Sequence, residues 1–291
     1  MAILVGNDTK VICQGMTGRT GTFYTERAKA YGTRVVAGVR PGKGGTRHLD
    51  MPVFDSVGEA AEATGATASI VFVPPATAGN AIIEAIDAEI PLVVCVTERM
   101  PLLDVIRVKH RLQGSKTRLV GPNSQGVLAP GGCKIGVMST VHARRGSIGI
   151  ASRSASLTSE IVAQTSAAGL GQSTTVGIGG DAVHGLGFAE CLDMFMADPE
   201  TDGIILIGEI GGSEEEQAAE YLRANKTKKP VVALVAGRHA PLERRMGHAG
   251  TLTIFGKGDA ETKIEALKAA GVHIAPNAQM VAETMRRALG R

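Results

Sequence analysis

The chain has 291 residues, which is enough for two α/β domains of ordinary size. Its net charge of +3 gives no argument for nucleic-acid binding, and 44% hydrophobic residues indicate a globular protein. The four cysteines form neither a close pair nor a Cys/His ligand cluster, which argues against a disulfide framework and against a zinc site. No signal peptide and no apolar run of membrane-spanning length is visible, so we expect a cytoplasmic protein without a membrane segment.

Short β-branched runs alternate with longer Ala/Glu/Lys-rich stretches along the first part of the chain. The predicted strands cover residues 11–14, 35–39, 68–73, 92–96 and 118–120, and the predicted helices cover residues 22–31, 57–63, 79–88 and 102–112. The strands are continuously apolar rather than alternating. This pattern is typical of a parallel sheet that is covered by helices on both faces.

The sequence Ala-Pro-Gly-Gly at residues 129–132 interrupts this alternation, which then starts again. The later predicted strands cover residues 147–151, 173–178, 203–207 and 231–235, and the helices cover residues 157–168, 187–197, 214–225, 259–270 and 278–289. We therefore predict two doubly wound α/β domains, residues 1–130 and residues 131–291.

A glycine-rich loop, Gly15–Thr22, follows the first predicted strand and precedes the first helix. A doubly wound fold places a phosphate at this position, because glycines let the backbone approach the anion and the helix N-terminus supplies N–H groups. The spacing is Gly-x-x-Gly-x-x-Gly, which differs from the dinucleotide pattern. The alternative is a turn whose glycines only permit close packing.

The loop after the second strand carries positive charge. A nicotinamide enzyme needs an acidic residue here to hold a ribose diol, but this chain has Arg40 followed by Pro41–Gly45, with Lys43 at the centre. A cationic glycine-rich loop fits a phosphorylated ribose better, and CoA carries one. The sequence therefore favours CoA over a nicotinamide cofactor.

Three segments of the second predicted domain contain residues that are suited to phosphoryl chemistry. Ser152–Thr158 joins a strand to a helix, Ile207–Gly212 places Glu209 near a strand end, and Arg244–Gly250 places His248 among small residues. A histidine can attack phosphorus when it is accessible and held in one tautomer. Glu209 is a candidate to accept one ring N–H, and the turn at Ser154 and Ala155 is a candidate for binding the phosphoryl group.

Histidine is commonly only a hydrogen-bonded surface residue, and this interpretation is the more frequent one for any single histidine. It applies to the other six histidines of the chain. Arg244 and Arg245 are most simply solvated charges that are also able to steer phosphate.

Taken together, these motifs make the sequence resemble the α subunit of succinate–CoA ligase (succinyl-CoA synthetase) over nearly its whole length. The motifs that carry the resemblance are Pro41–Gly45, Gly65–Ser69, Gly121–Asn123, Val176–Asp181, Ile207–Gly212 and Met246–Gly250. The resemblance implies a Rossmann-like CoA-binding domain followed by a flavodoxin-like ligase domain.

The resemblance also implies roles for individual residues. The expected CoA contacts are Thr17, Gly18, Arg19, Thr20, Lys43, Val96, Thr97 and Glu98. His248 would be the phosphorylated histidine and Glu209 its partner, and Ser154 and Ala155 would face the phosphate. The acid substrate would lie near Asn123, Ser124 and Ser159.

The departures from the family pattern lie mainly at positions expected to be near the carboxylic acid substrate. The family usually has Cys-Pro where this chain has Ser124-Gln125, and a tyrosine associated with the organic acid is replaced by Ser159. The family's Glu-Gly-Ile-Pro is Glu98-Arg99-Met100-Pro101 here. The reaction type is therefore expected to be retained, while the acid stays open among succinate, malate, citrate, a substituted dicarboxylate and a monocarboxylate.

By the same resemblance, a partner subunit uses a nucleoside triphosphate to activate the acid as an acyl phosphate. His248 accepts the phosphoryl group and releases it in the reverse direction, and CoA attacks or leaves as a thioester. The chain has no Walker loop and is too short to include an ATP-grasp domain, so ATP or GTP with Mg²⁺ is expected on a β subunit in an αβ or (αβ)₂ assembly. The alternatives are a CoA-binding regulatory subunit without turnover and an NAD-dependent oxidoreductase.

Overall fold

The computed structural model describes residues 2–225, 228–241, 247, 248, 251 and 258–291. The chain divides into two compact units. The first comprises Leu4–Met138 with Val183–Gly185, and the second comprises Ser139–Ala182 with the described part of Leu186–Arg291 and the residues up to Ile3. The domain boundary near residue 130 stays a prediction. No described helix is long and apolar enough to cross a membrane.

The first unit is built on a mainly parallel sheet. Its strands are β1 (Lys10–Gln14), β2 (Arg34–Val39), β3 (Arg47–His48), β4 (Met51–Phe54), β5 (Ala68–Val71), β6 (Leu92–Cys95) and β7 (Arg118–Val120). Its helices are α1 (Arg19–Tyr31), α2 (Val57–Thr64), α3 (Pro75–Asp87) and α4 (Leu102–Leu112). The strand order is β3-β4-β2-β1-β5-β6-β7, and β3 pairs antiparallel with β4. Without β3, this is the order of a Rossmann fold, which reverses between β1 and β5.

A hairpin of two short strands, β8 (Gly126–Ala129) and β9 (Cys133–Gly136), also belongs to the first unit. A Cβ at Gly126 would lie 1.9 Å from the carbonyl oxygen of Ile135, so the close approach of the two strands requires glycine there. The sequence predicts only a break between domains at the Pro-Gly-Gly turn of this hairpin, and neither strand is predicted.

The second unit contains a fully parallel arrangement of five strands. These are β10 (Arg145–Ser152), β11 (Gln172–Gly177), β12 (Gly203–Glu209), β13 (Val231–Ala236) and β14 (His273–Ile274). The helices are α5 (Ala155–Ala167), α6 (Phe188–Ala197), α7 (Glu214–Ala224), α8 (Ala260–Ala269) and α9 (Val281–Ala288), and a 3₁₀ turn covers Ala278–Met280. The order β14-β13-β12-β10-β11 is that of a flavodoxin-like fold and reverses between β10 and β12.

The predicted fold class, two doubly wound α/β domains of Rossmann-like and flavodoxin-like type, is confirmed. The differences lie at element ends. Helix α3 begins at Pro75 rather than at Gly79, because proline is well suited to the first turn of a helix. Strand β12 continues to Glu209 rather than ending at Ile207, and every residue in it is buried. Strands β3, β4 and β14 were missed, since runs of two to four residues give little periodicity.

Candidate active site

In the second unit, the strand order reverses between β10 and β12, which are neighbours in the sheet. Ligands of open α/β sheets bind beyond the carboxyl ends of the strands at such a reversal. Arg153 follows β10 directly, and Glu209 is the last residue of β12. The fold therefore brings a cation and a carboxylate together at the position where a site is expected.

His248 contacts Glu209 through one ring nitrogen. Nδ1 of His248 lies 2.9 Å from Oε1 and 2.8 Å from Oε2 of Glu209. The side chain of Glu209 is 10% exposed and that of His248 is 33% exposed. When the imidazole is neutral, this contact places its proton on Nδ1 and leaves the lone pair on Nε2. The expected pairing of these two residues is thus present in the structure, while their catalytic roles stay predictions.

The electrostatic surroundings raise the pKa of His248 above its usual value. The hydrogen bond to Glu209 is the main cause, partial burial opposes it, and the charge of Glu209 adds to it. Of the more distant charges, Arg153 lowers the pKa and Asp181 raises it. Glu209 therefore orients the ring but also favours the imidazolium form, which has no lone pair for attack.

Gly180 leaves room for the imidazole ring. A Cβ at Gly180 would lie 2.5 Å from Cγ and from Nδ1 of His248. Any other residue at this position would displace the ring from its contact with Glu209. The motif Val176–Asp181, which contributed to the resemblance, thus has a steric function beside His248.

Helix α5 begins with the predicted phosphate-binding residues. Ser154 is the N-cap, and its hydroxyl accepts a hydrogen bond from the N–H of Leu157 at 3.4 Å. Ala155 is the exposed first residue of the helix. The hydroxyl of Ser159, on the next turn, donates to the carbonyl oxygen of Ala155 at 3.3 Å and is exposed. The first N–H groups of this helix form a suitable site for an anion.

Sequence reasoning missed three buried charged residues behind Glu209. Arg153, Glu215 and Lys263 are 3%, 1% and 0% exposed, respectively. Arg153 was read only as part of a hydroxyl-rich turn, and Glu215 lies in an acidic run at the start of α7 that is usually solvated. Lys263 has no distinguishing signal in the sequence. Apart from Gly247, the other residues of the histidine segment, including Arg244 and Arg245, lie outside the described residues.

In the first unit, the loop between β1 and α1 lies tightly against the start of the helix. Gly15 has a φ of 81°, and a Cβ at Gly21 would lie 2.2 Å from the carbonyl oxygen of Gly15. Gly18 is the N-cap of α1, so the helix begins with the N–H groups of Arg19 and Thr20. The loop is at the carboxyl end of β1, beside the reversal between β1 and β5.

Backbone contacts hold the loop that carries Lys43. One carboxylate oxygen of Asp55 accepts hydrogen bonds from the N–H groups of Lys43 and Gly44 at 3.0 and 2.8 Å. The guanidinium of Arg40 donates to the hydroxyl of Thr17 at 3.2 Å and so links this loop to the first glycine loop. The side chain of Lys43 is exposed. The two predicted CoA-binding loops are therefore in contact.

The remaining predicted residues of the first unit follow β6 and β7. The hydroxyl of Thr97 donates to the carbonyl oxygen of Val73 at 2.8 Å, and the N–H of Asn123 donates to the carbonyl oxygen of Thr97 at 2.9 Å. Val96 is half-buried and Glu98 is exposed. All these positions are at the carboxyl edge of the same sheet as Thr17 and Lys43.

Of the predicted acid-binding residues, Asn123 and Ser124 belong to the first unit and Ser159 to the second. Asn123 has a φ of 54°, and Ser124 is buried and accepts a hydrogen bond from the N–H of Gly126 at 2.8 Å. Within the described ranges, no cluster of three or more His, Cys, Asp or Glu residues is arranged to hold a metal ion.

Models of known protein families match two separate segments of the chain, one in each unit. A model of the CoA binding domain matches residues 6–99, and a model of the CoA-ligase domain matches residues 151–273. The chain therefore has the paired domains of a CoA ligase.

Close relatives narrow this class. The chain is 51% identical to the α subunit of an ADP-forming succinate–CoA ligase from Aquifex aeolicus, over 99% of this chain and 95% of the relative. It is 48% identical to the corresponding subunit of Staphylococcus aureus, over 98% and 94% of the two chains. The chain belongs to the succinate–CoA ligase α-subunit family, which confirms the resemblance seen in the sequence.

Solved structures of more distant proteins share the fold. The ATP citrate lyase of Methanothrix soehngenii, solved with citrate and coenzyme A, matches 99% of this chain with a TM-score of 0.90 and 23% identity. A dinucleotide-forming acetyl-coenzyme A synthetase of Ca. Korarchaeum cryptofilum matches 97% with a TM-score of 0.80 and 17% identity. This chain spans 50% and 61% of the lengths of those two chains.

Proposed function

We propose that this chain is the α subunit of a nucleoside-diphosphate-forming acid–CoA ligase of the succinate–CoA ligase type, in which His248 carries the phosphoryl group. The observation that carries the proposal is the hydrogen bond between Nδ1 of His248 and the carboxylate of Glu209, at the strand-order reversal of the second unit. This contact occurs in a chain that is about half identical to α subunits of such ligases.

The contact with Glu209 prepares Nε2 of His248 for attack. In the direction of thioester synthesis, Nε2 bonds to the terminal phosphorus of the nucleotide, and the bond from that phosphorus to the diphosphate oxygen breaks. A carboxylate oxygen of the acid then takes the phosphoryl group, which gives an acyl phosphate and returns the imidazole to its neutral form. Glu209 accepts the Nδ1–H throughout, so no proton has to leave the ring before attack.

The N-terminus of α5 is the proposed seat of the phosphoryl oxygens. Ser154 and Ala155 start this helix directly after β10, the neighbour of the strand that ends at Glu209. Phosphoryl transfer needs positioning and charge stabilisation more than covalent assistance from the protein. N–H groups that already point toward the phosphate supply both without reorganisation.

CoA is proposed to bind the carboxyl edge of the first unit. The loop residues Thr17–Thr20 offer N–H groups to a phosphate, and Lys43 offers an exposed cation on a loop that Asp55 holds in place. Val96, Thr97 and Glu98 border the same edge. In the last step the CoA thiolate attacks the carbonyl carbon of the acyl phosphate, and inorganic phosphate leaves.

The nucleotide is proposed to bind a β subunit that has an ATP-grasp domain, with Mg²⁺, in an αβ or (αβ)₂ assembly. The relatives are named as α subunits, and the chain has no Walker loop of its own. The relatives are named for succinate, which makes succinate the first acid to test. Malate, citrate, a substituted dicarboxylate and a monocarboxylate follow, because Ser159 presents only a small side chain at its exposed position.

The proposal is tested by thioester formation in the purified complex of the two subunits. With ATP or GTP, CoA and each acid in turn, we expect acyl-CoA and nucleoside diphosphate to appear in equal amounts, and this chain alone to form none. A folded complex that binds CoA but forms no thioester with any acid would instead support a CoA-binding regulatory subunit.

A further inference from the structure

Three buried charged side chains form a network of contacts with Glu209. We call Arg153, Glu209, Glu215 and Lys263 the buried charge cluster; taken as a whole residue, each is at most 7% exposed. Charged groups are rarely buried unless they are paired, because removal from water is costly. The proposed phosphoryl transfer uses only Glu209 directly, so the function of the other three needs an explanation.

Arg153 contacts Glu209 through both its carboxylate and its backbone. Nη2 of Arg153 lies 3.4 Å from Oε1 of Glu209. Nη1 donates to the carbonyl oxygens of Glu209 and Gly211 at 3.3 and 3.0 Å. The planar guanidinium thereby fixes the end of β12 and the carboxylate that the histidine needs.

Glu215 and Lys263 hold Arg153 in turn. One carboxylate oxygen of Glu215 accepts from Nη1 of Arg153 at 3.2 Å and from the N–H of Glu209 at 2.9 Å. The ammonium of Lys263 donates to the other oxygen of Glu215, and to Glu216 at 3.2 Å. The carboxylate of Glu215 therefore links the residue after β10, the end of β12, and helices α7 and α8.

The signs of these charges matter for His248. The buried charge cluster contains two cations and two carboxylates, and the partly buried Glu216 adds a third carboxylate only through its contact with Lys263. If Glu209 had only His248 as its charged neighbour, the unbalanced carboxylate would favour the imidazolium form, in which Nε2 has no lone pair. Because Arg153 already balances Glu209, a neutral imidazole can keep its hydrogen bond to the same carboxylate.

We infer that Arg153 is a positioning residue for phosphoryl transfer: it shares the Glu209 carboxylate with His248, which aligns Nδ1 and keeps the imidazole available in its neutral form. The inference rests on the proposed function. It assigns no contact between Arg153 and substrate.

Opposing effects on the pKa of His248 support this inference. Among the described residues, the charged groups that act on the ring are Glu209 at the end of β12, Arg153 after β10, and Asp181 after β11. Glu209 and Asp181 raise the pKa of His248, and Arg153 lowers it. Removal of the Arg153 charge should therefore favour imidazolium, and removal of the Asp181 charge should disfavour it.

The test compares Arg153→Met, which removes the charge, with Arg153→Lys, which retains it. The pKa of His248 is measured by NMR in the full chain labelled with nitrogen-15 histidine. Phosphorylation of the chain from labelled nucleotide is measured across pH in the complex with the β subunit. Asp181→Asn is the matched control, since it changes a neighbouring charge in the opposite sense.

In Arg153→Met we expect a higher pKa of His248, so the fall in phosphorylation rate toward low pH (the acid limb) should move to higher pH. At about pH 7 we expect the rate to be about 10- to 100-fold lower, as when a group that orients a ligating histidine is lost. Alkaline pH should restore part of that loss. Arg153→Lys should keep the acid limb in place but label more slowly at all pH, because ammonium lacks the planar fork. Asp181→Asn should move the limb to lower pH.

A folded Arg153→Met variant whose His248 titrates as in the parent would overturn the inference. If that variant does not fold, Arg153→Lys decides: labelling as fast as the parent at every pH would contradict positioning by the guanidinium. A parent complex that is never labelled refutes the proposed function instead, while the NMR titration still tests the effect of Arg153 on His248.

Discussion

The two strand-order reversals of the molecule carry different kinds of side chain. In the first unit, the residues around the reversal between β1 and β5 are mostly half-buried or exposed, and backbone N–H groups and glycines shape the loops. In the second unit, the reversal between β10 and β12 has buried Arg153 and Glu209 behind a single partly exposed histidine. The same topology thus supports an open loop surface in one unit and a rigid charged site in the other.

This difference corresponds to two chemical tasks. A large phosphate-bearing ligand can be bound by many weak contacts, and the loss of one reduces affinity gradually. Group transfer depends on a few atoms at fixed positions, and a small displacement lowers the rate steeply. Substitutions in the second unit are therefore expected to affect turnover, and those in the first unit to affect CoA affinity.

The largest effect is expected for His248→Asn. Thioester formation should fall to background, because asparagine cannot accept and return a phosphoryl group, while CoA affinity measured by calorimetry should stay that of the parent. His273→Asn is the matched control, since His273 is an exposed histidine of the same unit. Turnover by a folded His248→Asn variant would show that the phosphoryl group takes another route.

A sharper test of the rigid site is Gly180→Ala. The added methyl group would lie 2.5 Å from the imidazole, so the ring must move away from Glu209. We expect about 100-fold slower thioester formation, the loss associated with a displacement of about 1 Å. The control is Gly58→Ala, where a Cβ has open space. An unchanged rate would mean that the observed ring position is not the reactive one.

In the first unit, Lys43→Glu should weaken CoA binding about tenfold or more. A hydrogen bond between charged groups contributes about 1.5–3 kcal/mol, and the substitution also introduces repulsion from phosphate. Lys116→Glu makes the same charge change at another exposed position of this unit. Calorimetric titration with CoA measures both. Equal affinities in the two variants would contradict the assignment of Lys43.

The smallest effect concerns stability. The pKa of His248 in the folded chain is raised, so proton binding stabilises the folded state. This contribution is complete below the unfolded pKa of about 6.5 and is lost as pH rises through the folded pKa. His248→Asn should therefore lower the free energy of unfolding more under acidic than under alkaline conditions. Denaturant titrations of the parent and of His248→Asn, each at acidic and at alkaline pH, measure this difference. A larger loss of unfolding free energy at alkaline pH would contradict the raised pKa of His248.

The sequence predicted the parts of this site that depend on strand ends. Glu209 and the turn at Ser154 follow buried apolar runs, and parallel strands bring their carboxyl ends to one edge. The burial of Arg153 and Lys263 was not predictable, because a charged residue becomes a core residue only through partners from distant segments. The hairpin of β8 and β9 was missed because Gly131 and Gly132 in its turn were interpreted as a domain boundary, whereas Gly126 and Gly136 allow its two strands to approach each other.

The most direct test of the account is to locate the phosphoryl group on the chain. The complex of this chain with its β subunit is incubated with nucleotide labelled at the terminal phosphate, and the labelled peptide is identified by mass spectrometry. The account predicts a label on His248 that is lost at low pH and stable at high pH. The carboxylic acid substrate and CoA together should remove this label. A label on another residue, or thioester formation without any label on this chain, would contradict it.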